Sequence, residues 1–196
     1  MKKLLFATNN AHKLQEVRDA FPAGFELLSL ADVDFEGTIP EDYETLEENA
    51  LQKAQYIHAR FGMDCFADDT GLEVAALNGD PGVYSARYAG PAATFDDNVS
   101  LLLSRLEPHA DRTARFRSVF ALILEGREHL FEGMTAGNIT TSRRGRKGFG
   151  YDPVFIPKGQ QRTFSEMTMQ EKNAISHRGR ALQKMLDFLS SLGGKK

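Results

Sequence analysis

Apolar positions in this chain fall into short runs separated by polar turns, and the spacing within each run indicates what it forms. Lys2 to Ala7 carries a short apolar run, read as a buried first strand, that empties into Thr8-Asn9-Asn10, side chains that favour turns and helix caps. Lys13, Leu14, Val17 and Ala20 recur at helical spacing and predict a helix closed by Phe21-Pro22. Phe25 to Leu30 alternates weakly as a second strand, and the acidic stretch Asp32 to Glu48 reads as a loop. Thr45 to Phe61 is predicted to be a helix, opened by a Thr45–Glu48 capping box and carrying Leu46, Ala50, Lys53, Ala54 and Ile57 at helical spacing.

Cys65, Phe66 and Ala67 form the next apolar run, and Thr70-Gly71 breaks it, which places Asp68 and Asp69 at the carboxyl end of a strand. Asn78-Gly79-Asp80-Pro81-Gly82 is a turn cluster, and Thr94 to Leu106 is a helix with an acidic start. Thr113 to Leu124 and Glu128 to Thr140 read as two long strands around Glu125-Gly126-Arg127, an antiparallel hairpin that makes the sheet mixed. Arg143 to Phe155, RRGRKGFGYDPVF, reads as a mobile, positive loop, and Gly179 to Leu192 as the terminal helix. With no repeat, low-complexity segment or linker, the expectation is one domain with two lobes, followed by a flexible tail from Gly193 to Lys196.

Composition narrows the class without deciding it. Of 196 residues, 41% are hydrophobic and 26% charged, ordinary values for a globular chain. A net charge of -3 argues against a general electrostatic grip on nucleic acid. The single cysteine, Cys65, sits among apolar neighbours and reads as a buried thiol in a reducing cytoplasm. The apolar run before Thr8 is only four residues long, against about seven to fifteen in a secretion signal, and no run approaches the roughly 18 of a membrane span.

Candidate chemistry gathers at a few points. Two adjacent carboxylates beyond a strand end can hold a hard divalent cation while one takes a proton from water, although an isolated Asp-Asp pair is more often a solvated turn. Thr8 to Asn10 with Lys13 places amides, backbone N–H groups and an ammonium around one helix start, which suits phosphate and equally suits a plain cap. A Walker loop is absent. Glu48 is a candidate third oxygen ligand and Lys53 a candidate phosphate contact; the alternative for both is cap and solvent. Phe149 offers a ring on which a planar base could stack, with core packing as its alternative.

Taken together, TNNAHK (Thr8 to Lys13), EENALQKA (Glu47 to Ala54), FADDTGLEV (Phe66 to Val74), GDPGVYSARYAG, GFGYDPVF and EKNAISHR (Glu171 to Arg178) resemble the inosine triphosphate pyrophosphatase family, in order and over nearly the whole chain. That resemblance implies an elongated, two-lobed α/β fold around a long mixed β-sheet flanked by helices, a homodimer, Mg²⁺ dependence, and hydrolysis of ITP, dITP and XTP to the monophosphate and pyrophosphate. It assigns Thr8, Asn9, Asn10, Lys13 and Lys53 to phosphate, and Thr70 to a substrate contact. It assigns Glu48 and Asp69 to the metal, with Asp68 as a further candidate ligand and Asp69 as the catalytic base. Phe149, Gly150, Tyr151, Asp152, Lys172, His177 and Arg178 fall to the base and ribose. The competing functions are a nucleotide-binding module without turnover and a pyrophosphatase for modified pyrimidine nucleotides.

Overall fold

The computed structural model describes residues 2–21 and 24–193. The first apolar run is β1 (Lys2–Phe6), buried from Leu4 onward, and α1 (Ala11–Ala20) follows it. Next come β2 (Phe25–Leu28), α2 (Leu46–Phe61), β3 (Cys65–Val74), the two-residue β4 (Pro81–Gly82) and α3 (Phe95–Leu106). The long strands β5 (Thr113–Leu124) and β6 (Arg127–Ile139) precede β7 (Phe155–Pro157), α4 (Met169–Ile175) and α5 (His177–Gly193). The strands form one sheet in the order β2-β1-β3-β5-β6-β7, with β4 paired to β3. β1 runs parallel to β2 and β3, whereas β3–β4 and β6–β7 are antiparallel, so the fold is α/β with a mixed sheet.

The chain divides into two compact units, each built from separated segments. One comprises Met1–Asp69, Ser118–Gly133 and Arg178–Lys196; the other comprises Thr70–Arg117 and Met134–His177. The boundaries fall inside β3, β5 and β6 and at the start of α5, which is why no linker composition marks them. In the first unit, Phe6, Phe66 and Phe120 stack, with Phe6 and Phe66 centroids 4.6 Å apart, and α5 lays Leu182, Met185, Leu186 and Leu189 on the same core at helical spacing. Each such buried side chain contributes about 1.5–3 kcal/mol. The second unit packs Val99, Leu102 and Leu106 of α3 with Phe116, Phe155 and Phe164.

Several expected boundaries differ. β3 does not end at Asp69 but continues to Val74, because Gly71 is a close-approach residue rather than a breaker: a Cβ there would lie 2.6 Å from the Gly82 carbonyl oxygen. The second strand stops at Leu28, where Ser29 and Asp32 bond one another around a 3₁₀ turn (Leu30–Val33). The loop expected to be mobile is tied down: Arg143 pairs with Asp96 at 2.8 Å and Arg144 with Glu166 at 3.1 Å. Glu171 to Asn173 lie in α4, a helix the apolar spacing does not reveal. Pro22 and the tail residues Gly194 to Lys196 lie outside the described residues; Gly193 closes α5.

Candidate active site

The first unit assembles its charged centre where β1 stops. β1 and β3 pair only as far as Phe6 and Phe66, and the Ala7 N–H donates to the Phe66 carbonyl at 2.7 Å. Asp68 and Asp69 therefore lie just beyond the carboxyl end of β1, even though β3 itself runs on. Successive strand residues point to opposite faces, so the two acids cannot act as one bidentate pair. Their partners confirm the separation. Asp68, fully buried, pairs with Lys13 at 3.0 Å and with Arg178 Nε at 3.3 Å, and Arg178 also pairs with buried Glu16. Asp69 pairs with Lys53 of α2 at 3.0 Å, and the Asn49 amide stands 3.5 Å from it.

The same Lys53 ammonium meets Glu41 at 2.5 Å. Glu41 belongs to a loop that α2 holds in place: Asn49 accepts the Tyr43 N–H at 2.9 Å and donates to its carbonyl at 3.0 Å, while Gln52 bonds Asp42 twice. Glu48 is exposed, and its carboxylate accepts the Thr45 hydroxyl at 2.6 Å while its N–H donates to Thr45 Oγ1 at the helix cap. At the start of α1, the Asn10 side chain caps His12 and Lys13, Thr8 Oγ1 accepts the Asn10 N–H, and Asn9 donates to the Gly37 carbonyl.

These surroundings drive the two aspartates apart. Burial pushes the Asp68 carboxyl up, but Lys13 and Arg178, with Lys53 behind them, outweigh it and hold the group well below the usual carboxylate range. On Asp69 burial wins, raising it above the ordinary value against Lys53 and Lys13, with the Glu41 charge pushing the same way. Burial lowers Lys13 despite Asp68, whereas on Lys53 burial is outweighed by Asp69 and Glu41, which raise it. Asp68 is thus a locked anion, and Asp69 is the more basic carboxylate of the pair.

The second unit holds the other candidates. Asp152 accepts the Phe149 N–H at 3.0 Å and pairs with Lys172 at 2.5 Å, both side chains buried. The Lys172 ammonium lies 5.0 Å from the half-buried Phe149 ring, within cation–π reach. Tyr151 is buried and donates its hydroxyl to the Ser85 carbonyl, and His177 stacks on Phe116 at 4.5 Å. Gly150 opens the turn before Asp152 with φ 59°, and Thr70 is half-buried at the first position of this unit. Arg178, expected beside His177, falls in the first unit against Asp68.

The family model described as the Ham1 family matches residues 4–188. The chain belongs to the Ham1 family. Among its Ham1-like relatives is a dITP/XTP pyrophosphatase of Porphyromonas gingivalis, 51% identical over 96% of this chain and 98% of that protein. One of Flavobacterium johnsoniae is 48% identical over the same shares. The solved structure of a HAM1 protein from Coxiella burnetii superposes with a TM-score of 0.89 at 36% identity, covering 97% of this chain and 100% of that one.

The Ham1 chain also builds its site from residues that sequence spacing passes over. Glu16, beside Val17 on α1, is buried, and a buried carboxylate demands a cation, but its spacing from Lys13 gives no sign of that burial. Glu41 carries no signal beyond membership of an acidic loop. Among the described residues no three His, Cys, Asp or Glu side chains converge as a metal cage, and no helix is long and apolar enough to cross a membrane. Mg²⁺, however, commonly uses one or two carboxylates together with waters and substrate phosphates, and Glu41 with Asp69 around one ammonium is a donor set that fits an ion arriving on a nucleotide.

Proposed function

We propose that this Ham1 family chain is a nucleoside-triphosphate pyrophosphohydrolase that converts non-canonical purine nucleotides, ITP, dITP and XTP, to the monophosphate and pyrophosphate. The observation that carries it is the divergence of Asp68 and Asp69. One carboxylate is locked in a buried ion network, and its neighbour is raised toward basicity and bonded to Lys53, the arrangement a water-activating base needs. The dITP/XTP pyrophosphatase relatives support the substrate class.

In this mechanism Asp69 orients a water and takes its proton as the oxygen attacks the α-phosphorus. The bond from that phosphorus to the bridging oxygen breaks, and pyrophosphate leaves with the electron pair. The Lys53 and Lys13 ammonium groups offset charge on the phosphate oxygens. Asp69 and Glu41 are the residues that would hold Mg²⁺; Glu48, engaged at its cap, cedes that place to Glu41. Bound there, the ion would neutralise phosphate charge and polarise the scissile bond. Phe149 supplies a stacking face, while Lys172 and His177 of the same unit are donors suited to the 6-oxo group of hypoxanthine and xanthine and opposed to the amino group of adenine; Arg178, committed to Asp68 and Glu16, supports the charged centre instead. We take the working form to be a homodimer, as the family resemblance implies, in the reducing cytoplasm that the lone Cys65 suggests; sedimentation checks the first.

The test is initial rates on ITP, dITP, XTP, GTP and ATP with products identified. Pyrophosphate released from the first three, lost in excess chelator, is the expected result. Binding without pyrophosphate release would favour the nucleotide-binding module, and a preference for pyrimidine nucleotides would overturn the substrate class.

A further inference from the structure

Arg144 and Lys147, at the two ends of a segment expected to move, have their backbone groups bound to one short stretch, Gln161 to Glu166, and to Pro153. The Arg144 N–H donates to the Pro153 carbonyl at 2.8 Å, and its guanidinium donates to the Gln161 carbonyl at 2.9 Å and pairs with Glu166 at 3.1 Å. The Arg144 carbonyl accepts the Thr163 hydroxyl at 2.8 Å, and Glu166 in turn accepts the Thr163 N–H at 2.7 Å. Three residues on, the Lys147 N–H donates to the Ser165 carbonyl at 3.2 Å, and the Lys147 carbonyl accepts the Ser165 hydroxyl at 2.5 Å. Thr163 and Ser165 are 0% and 1% exposed, so neither hydroxyl has water as an alternative partner. The contact is close enough that a Cβ on Gly145 would lie 2.5 Å from the Ser165 carbonyl, and the φ of +84° there suits glycine.

What this fixes is Phe149. Two residues past Lys147, its N–H is held by Asp152 at 3.0 Å, so the stretch leading to its ring is anchored at both ends. We infer that Thr163, with Glu166 and Arg144, is a positioning latch that holds Phe149 ready for the purine base, so that its loss weakens nucleotide binding rather than chemistry. The inference rests on Phe149 being the stacking face for the base. Affinity gained by stacking depends on not having to order the ring at the moment of binding.

The variants are Thr163→Val, which keeps shape and deletes the hydroxyl, Thr163→Ser as the rescue, and Glu166→Gln as a milder lesion on a partly exposed side chain. The chain contains no tryptophan, so Phe149→Trp gives a single fluorophore at the position in question. Complete loss of stacking is bounded at about two orders of magnitude. Thr163→Val is therefore expected to raise KM for ITP about tenfold with kcat within about twofold and, combined with Phe149→Trp, to lower the anisotropy of the introduced indole without nucleotide. Thr163→Ser should restore both, and Glu166→Gln should shift both in the same direction by less. Unchanged anisotropy in folded Thr163→Val or Glu166→Gln protein overturns the latch. Lowered anisotropy with an unchanged KM overturns its role in binding. If the unaltered chain fails to hydrolyse any oxo-purine nucleotide, the proposed activity is what fails, and the anisotropy series still decides the latch.

Discussion

Asp68 and Asp69 are neighbours of identical chemistry, and replacing each by asparagine separates scaffold from catalysis. Asp68→Asn removes the carboxylate that balances Lys13 and Arg178, three groups with side chains no more than 14% exposed. Breaking a buried pair by deleting one partner costs about 3–5 kcal/mol, because the remaining charge stays desolvated. At about 2–4 °C per kcal/mol for a chain of this size, the melting temperature at pH 7 should fall by roughly 6–20 °C. The linkage sign agrees: a folded-state value lowered by Lys13 and Arg178 stabilises the fold above the unfolded carboxylate value and is lost as pH falls through the lowered folded value. The gap between wild type and Asp68→Asn should therefore narrow below about pH 4. Asp69 has the opposite sign. Its value is raised on folding, so its ionised form is not a source of stability, and Asp69→Asn should melt within a few degrees of wild type while losing roughly 10²- to 10⁴-fold in kcat. Thermal melts from pH 3 to 8 beside kcat/KM for ITP read both quantities. If Asp69→Asn is the less stable variant, or keeps activity within a few-fold, the division between anchor and base is wrong.

Three further outcomes are expected. Glu41→Gln should raise the Mg²⁺ concentration for half-maximal rate at least tenfold while Glu48→Gln shifts it less than about threefold, the difference that one direct carboxylate ligand makes; titrating Mg²⁺ at fixed ITP checks this, and the reverse order would return Glu48 to the metal. Cys65, whose thiol burial and the Asp64 charge push up to about 12, should resist thiol-specific labelling of the native protein and react only on unfolding; stoichiometric native labelling would contradict its burial. Phe66→Ala should cost about 3–5 kcal/mol, since the ring is fully buried against Phe6 and Phe120; a urea melt giving less than about 1 kcal/mol would show that the stack collapses without penalty.

Most of the fold is legible because its periods are strong. The β1 run, the α2 stripe and the paired apolar runs of β5 and β6 each leave one secondary structure as the economical choice. The failures have specific causes. Gly71 after a short apolar run reads as a stop, but a strand also takes glycine where another backbone comes close, and only the position of Gly82 decides between the two. In α4 the only fully buried residue is Lys172, so it lacks an apolar stripe; its one local mark, Thr168 followed three residues later by Glu171, is a capping box that bonds as such.

The site divides along the same line between local and distant causes. Lys13, Asp68 and Asp69 can be picked out because each sits at the end of a predicted element, and Lys53 because it is a charge within the apolar stripe of α2. Glu16 cannot, because three residues after Lys13 on α1 it imitates a surface pair, and the cation that buries it, Arg178, lies 162 positions away. That distant arginine decides what Asp68 is. With Lys13 alone, a buried Asp68 would be one half of a simple pair and a rival to Asp69 as base. Adding Arg178 makes Asp68 outnumbered, and Glu16 then has to be present so that Arg178 is not an excess positive charge in the core. Asp69, on the other face of the same strand, shares its one ammonium with Glu41 and stays short of positive charge. A strand's alternation and two acids drawn from elsewhere in the chain are enough to turn an Asp-Asp dipeptide into one structural anion and one more basic carboxylate.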